Sequence, residues 1–236
     1  MRSFLVALLL STTAAFAQTN ATAYDALRVI GNQLDRDAVN RIISVVGVDG
    51  NPQPRTWRVL VADARKGGIR EIFVSGGQVT KQGPYSGSMA GSERAATIDT
   101  SKLNLDSSGA YEVASKTADT SHVPFTTVNY TLRTDERGNP TWVVTLQSQG
   151  HRALGTIYIG ANRGTVTRTE GMFQGLPANE VVEDQREENV QDDQGQGSNN
   201  PIVARAREMF YRTRDNARET FKRVRRNFAD FIRGDD

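Results

Sequence analysis

The chain has 236 residues, with 29 lysines and arginines against 27 aspartates and glutamates, two histidines and no cysteine. The missing thiols exclude disulfides, thiol-linked lipid anchors and thiolate metal sites, and the near-balance of charge gives the whole chain no preferred class of partner. The length has room for two small domains, or one medium one, plus tails.

Residues 1–17 read as a secretory signal peptide. Arg2 supplies the positive start, residues 4–10 a short apolar run, and Ala15-Phe16-Ala17 a small-x-small cleavage site ahead of Gln18. The apolar run is too short to span a bilayer. The expected location is the periplasm or the exterior, and export without cysteine suggests a bacterial cell envelope.

Residues 18–82 form a first unit. Tyr24, Leu27, Val29 and Ile30 recur at helical spacing over 22–34, with Thr22 or Asp25 available as a cap. After a polar stretch at 35–40, the Ile- and Val-rich run 41–48 predicts a strand, and Asp49-Gly50-Asn51-Pro52 a turn. A hairpin follows: Trp57, Val59 and Val61 alternate, and a second run at 69–74 closes on Gly76 and Gly77. Residues 83–105, rich in Gly, Ser and Thr, read as a linker or long loop.

The same order returns in residues 106–175. A helix begins near Asp106, Val128, Tyr130 and Leu132 alternate in a strand, residues 135–140 turn, and Trp142, Val144 and Leu146 lead a hairpin with Ile157 and Ile159, closed by Gly160 and Gly164. Tyr24 and Tyr111 lie 87 positions apart, Asp49 and Asp135 86, and Trp57 and Trp142 85. An ordered set of landmarks at nearly one offset indicates duplication. The expected fold is therefore α+β: two tandem units, each of one helix on a three-stranded antiparallel sheet, plus a C-terminal amphipathic helix.

The pattern resembles the PepSY domain. It is carried by Trp142, Val144, Ile157, Ile159, Gly164 and Val166 in the second unit and by Trp57, Val59, Ile72, Val74, Gly77 and Val79 in the first. Ala161-Asn162-Arg163 and Ser75-Gly76 stand where that family carries an acidic residue before the closing Gly. The resemblance implies a binding role, tuning a peptidase or serving as an envelope interaction module, and carries over no catalytic residue.

Residues 176–200 read as an acidic, disordered linker, with seven carboxylates and one Arg between Glu180 and Asp193. In 201–236, Val203, Phe210, Ala217, Val224 and Phe231 recur every seven residues, with Ala206, Phe221 and Phe228 beside them. The opposing face is basic. Ten basic residues against six acidic ones give this tail a net charge near +4. Candidate anionic-surface residues are Arg205, Arg212, Arg218, Lys222, Arg223, Arg225 and Arg226; candidate interface apolar residues are Phe210, Phe221, Phe228 and Phe231. The seam is open to three uses: packing on the domain, self-association, or an anionic membrane or polymer surface. Nucleic acid is not an expected partner of an exported protein.

No catalytic, cofactor or metal site is expected. The chain lacks HExxH, a phosphate-binding loop and a nucleophile elbow, and His151 falls in a hairpin turn, where a histidine is ordinarily just solvated. For Trp57 and Trp142, burial against a helix explains a large aromatic better than a ligand surface. The expected function is a non-catalytic envelope module binding protein or peptide; the alternative is peripheral attachment to an anionic membrane or envelope polymer through the basic helix.

Overall fold

The computed structural model describes residues 20–63, 67–87, 96–172, 181–183 and 201–224. Residues 1–17, read as a signal peptide, and Arg225, Arg226, Phe228 and Phe231 lie outside them, as does nearly all of 176–200, read as an acidic linker.

Helix α1 (Ala23–Gln33) starts where the sequence places a cap. Thr22 Oγ1 accepts from the Asp25 amide while the Asp25 carboxylate accepts from the Thr22 amide, a reciprocal capping box. The polar stretch that follows contains a single helical turn, α2 (Arg36–Val39). Strands β1 (Ile42–Gly50), β2 (Thr56–Ala62), β3 (Ile69–Ser75) and β4 (Gln78–Pro84) complete the first half. The second half repeats it: α3 (Ser107–Thr120), then β5 (Thr127–Thr134), β6 (Pro140–Gln147), β7 (Ala153–Gly160) and β8 (Val166–Glu170). A short β9 (Val181–Glu183) and helix α4 (Pro201–Val224) follow.

These strands form one antiparallel sheet in the order β4-β3-β2-β1-β5-β6-β7-β8-β9. The expectation of two tandem units, each with its own three-stranded sheet, is therefore overturned. Each half supplies four strands, and β1 pairs with β5 through Ser44–Arg133, Val45–Leu132, Val46–Thr131 and Gly47–Tyr130. In separate units β1 and β5 would each leave a row of backbone groups unpaired, and joining them satisfies both. The two added strands are polar. β4, QVTKQGP, is mostly exposed at the sheet edge, and β8 buries only Val166 and Thr169, so neither has the apolar alternation that marks β2 or β6.

One face of the sheet carries the core. Ile72 and Val74, Trp57, Val59 and Val61, then Val128, Tyr130 and Leu132, and Trp142, Val144 and Leu146 all join a single buried cluster with the helices. At its centre Trp57, Tyr130 and Trp142 form a triangle with ring centroids 5.7, 6.1 and 6.5 Å apart, in tilted and edge-to-face contact. Gly47 makes room for it: a Cβ there would lie 2.7 Å from the Trp57 ring. Each indole N–H is satisfied in the same way, Trp57 donating to the Ala21 carbonyl at 2.8 Å and Trp142 to the Leu105 carbonyl at 2.9 Å, just ahead of each helix. Burial pushes the Tyr130 phenol far above its ordinary pKa.

The N-termini of α1 and α3 meet beside this triangle. The nearly buried carboxylate of Asp106 accepts from the Tyr24 amide of α1 at 2.9 Å and from the Ser107 amide of α3 at 2.6 Å. Ser107 Oγ accepts from the Ala23 amide and donates to Gln53. Two helix dipoles thus converge on one carboxylate.

Candidate functional site

Among the described residues the helices pack on the core face of the sheet; no described helix covers the opposite face, on which Leu60, Ser44 and Thr141 are nonetheless buried. Strand pairing aligns its side chains into a row that crosses the sheet. From β1 outward the row runs Val46, Arg58, Phe73, Lys81; from β5 outward it runs Thr131, Val143, Tyr158, Arg168. Period-two alternation puts all eight on one side.

The two arms end alike. Phe73 on β3 is topped by Lys81 of β4, with the ammonium 5.6 Å from the ring centroid; Tyr158 on β7 is topped by Arg168 of β8, with the guanidinium carbon at 3.9 Å. An aromatic ring capped by a cation therefore stands at both ends of the row. Glu170 completes the second pair, accepting from Arg168 at 2.6 Å and from the Tyr158 hydroxyl at 3.2 Å. Burial opposes the charge on Arg168, but its interactions with Tyr158 and Glu170 outweigh that and raise its pKa. In the first arm Glu71 lies 3.6 Å from Arg58. Between the ends, Val46, Thr131 and Val143 are half-buried and only weakly polar.

His151 has a partner that its turn position does not reveal. Its Nδ1 lies 2.7 Å from Asp49 Oδ1, linking the β6–β7 turn to the end of β1 across 102 residues of sequence. Both residues have left-handed backbone, φ 62 and 55. The pair is exposed, and among the described residues no group of three or more His, Cys, Asp or Glu side chains is placed to hold a metal ion.

Helix α4 lies against α3, with β8 and β9 beside it. Ala206, Phe210, Thr213, Ala217 and Thr220 are buried in this interface, and Phe221 packs over Gly164. Of the candidate interface residues, Phe210 is fully buried within the chain's own fold, which takes its apolar surface away from any external surface, and Phe221 is half-buried. Arg205, Arg212, Arg218 and Lys222 face solvent; Arg212 pairs with Glu208 and Arg218 with Asp215. Arg223 belongs to α4, but its side chain is outside the described set. No described helix is long and apolar enough to cross a membrane.

Phe73, Tyr158, Lys81 and Arg168 escaped the sequence reading. Their signal was present as the polar-face positions of the alternating runs, but that alternation does not reveal which strands lie side by side. Comparison with family models, with curated proteins and with solved structures finds no match. What fold and site define, among the described residues, is a protein with helices packed on one face of a single nine-stranded antiparallel sheet.

Proposed function

We propose that the protein is an exported, non-catalytic interaction module of the cell envelope that binds a protein or peptide partner through the open face of its sheet. The observation that carries this is the cross-strand row with its repeated aromatic–cation ends, on a face that no described helix covers. Such a row offers a long, shape-defined surface of mixed character, as interfaces do. The resemblance to PepSY-like domains points the same way. A photo-crosslinking residue at Val143, mid-row, is expected to capture a specific partner in cells. The same probe at Arg207, on the exposed side of α4, serves as control. Capture at Arg207 but not at Val143 would sink the proposal.

The alternative, peripheral attachment to an anionic membrane or polymer, is supported by the solvent-facing Arg205, Arg207, Arg212, Arg218 and Lys222. With Phe210 buried, such attachment would be electrostatic, with little insertion, and strongly weakened by salt. Co-sedimentation with anionic vesicles, with and without residues 201–236, tests it: binding unchanged by the truncation would exclude the helix.

A further inference from the structure

We propose that the outer edge of β4 is a second docking site, which takes an extended segment of another polypeptide as a further antiparallel strand over Lys81, Gln82 and Gly83. The segment sets a carboxylate opposite Lys81 and a β-branched residue opposite Gly83. This site is separate from the open face, and the two stand or fall independently.

The far end of the sheet is the template. β4 and β8 match position by position: Val79 and Val166, Thr80 and Thr167, and Lys81 and Arg168 each stand 87 residues apart. Both strands bulge at the same threonine, whose hydroxyl donates to the carbonyl of the capped aromatic, Thr80 to Phe73 at 3.3 Å and Thr167 to Tyr158 at 3.4 Å. Yet β8 is not an edge. β9 pairs with it antiparallel, through Arg168–Glu183, Thr169–Val182 and Glu170–Val181. The corresponding residues of β4 are Lys81, Gln82 and Gly83, and among the described residues no strand pairs with their outer side.

The path of the chain accounts for the difference. Tyr85 still donates to the Ile69 carbonyl of β3, but by Ile98 the chain is bonded to the Ile42 carbonyl at the head of β1, on its way to α3. After β8 no such return is required, and the chain supplies β9.

The edge suits one short strand. The Tyr85 amide points to β3, so by alternation those of Gly83 and Lys81 do too, and Gln82 turns its N–H and C=O outward. Pro84, which has no N–H, and the bulge at Thr80 bound this window. The Lys81 ammonium is exposed and rests on the Phe73 ring; among the described residues no carboxylate pairs with it, and Glu71 on β3 lies 3.6 Å from Arg58. A Cβ at Gly83 would meet nothing within 4 Å, which leaves room for a bulky side chain across from it. A second copy of this chain is the poorer occupant, because pairing β4 with β4 about Gln82 sets Pro84 against the bulge on both sides.

The test adds the peptide acetyl-Thr-Val-Val-Glu-Thr-amide to the isotope-labelled chain from Gln18 onward and follows backbone amides by NMR. The shifts are expected to centre on Lys81, Gln82 and Gly83. Methylating the amide of the second valine, which stands opposite Gln82, removes a ladder hydrogen bond and should weaken binding at least about tenfold. Methylating the first valine, whose N–H points away, should change it by less than about threefold. Lys81→Glu should weaken binding about fivefold, and a peptide with Lys in place of Glu should restore it. The methylated peptides need no variant, so the outcome does not hang on how Lys81→Glu folds. No shift at millimolar peptide, shifts confined to the open face, or indifference to methylation of the second valine overturns the inference. So does movement of the Gln82 amide with protein concentration alone, which would make a second copy the occupant. Neither result bears on capture at Val143, and failure at Val143 leaves this test intact.

Discussion

Replacing Asp106 by Ala strips the carboxylate from the point where α1 and α3 converge. Two backbone amides, those of Tyr24 and Ser107, lose their acceptor at 2.9 and 2.6 Å. A hydrogen bond to a charged acceptor contributes about 1.5–3 kcal/mol, and a buried donor left alone costs a similar amount. Each helix N-terminus also loses an anion worth about 0.3–1 kcal/mol. These contributions overlap, so the expected loss is about 3–5 kcal/mol, well above the ~1 kcal/mol of an ordinary N-cap. Thr22→Ala is the internal comparison, because Thr22 caps only α1. Asp106→Asn keeps an oxygen acceptor and loses the charge, and should cost about 1–2 kcal/mol. Urea unfolding followed by far-UV circular dichroism measures all three. An Asp106→Ala cost no larger than that of Thr22→Ala would refute the shared-cap argument and leave Asp106 as a cap of α3 alone.

Gly164→Ala should unseat α4: φ is +63, and the new Cβ would lie 2.2–2.4 Å from Phe221, so strain and overpacking together cost about 2–4 kcal/mol. Hydrogen exchange in α4 reads it, and unchanged protection there would contradict the packing. His151→Gly should stay within about 1 kcal/mol of the parent, since the lost exposed contact to Asp49 is offset by relief at φ 62, while His151→Val costs about 1–2 kcal/mol. Thermal denaturation separates the two variants. Asp99 holds a folded-state pKa below its ordinary 3.8, through the hydrogen bond from Ser101, opposed by partial burial and helped by the Ser101 amide and Lys102. Its stabilisation is therefore complete above the unfolded value and is lost as pH falls through the lower folded one. A Ser101→Ala variant should move the Asp99 carboxyl titration upward by NMR, and no movement would exclude the hydrogen bond as the cause.

The local chemistry of this chain is legible residue by residue. Thr22 with Asp25 announces the start of α1, the alternation through Trp57 and through Trp142 marks β2 and β6, and the 85-residue offset between the two tryptophans matches the repeated order of helix and four strands. Each of these signals is carried within a turn of helix, the pleat of one strand, or the repeat of such a pattern. What joins distant segments is not encoded at that range. Tertiary structure decided that β1 and β5 fuse two halves into one sheet, because a pairing between backbones some 85 residues apart leaves no local periodicity. It decided that the polar runs at β4 and β8 are strands, since an edge or sparsely covered strand need not alternate. It turned the apolar seam of α4 inward onto α3, a choice that amphipathicity alone leaves open. And it brought Lys81 onto Phe73 and Arg168 onto Tyr158, giving the open face a character that composition conceals, because one-residue register fixes which side chains meet.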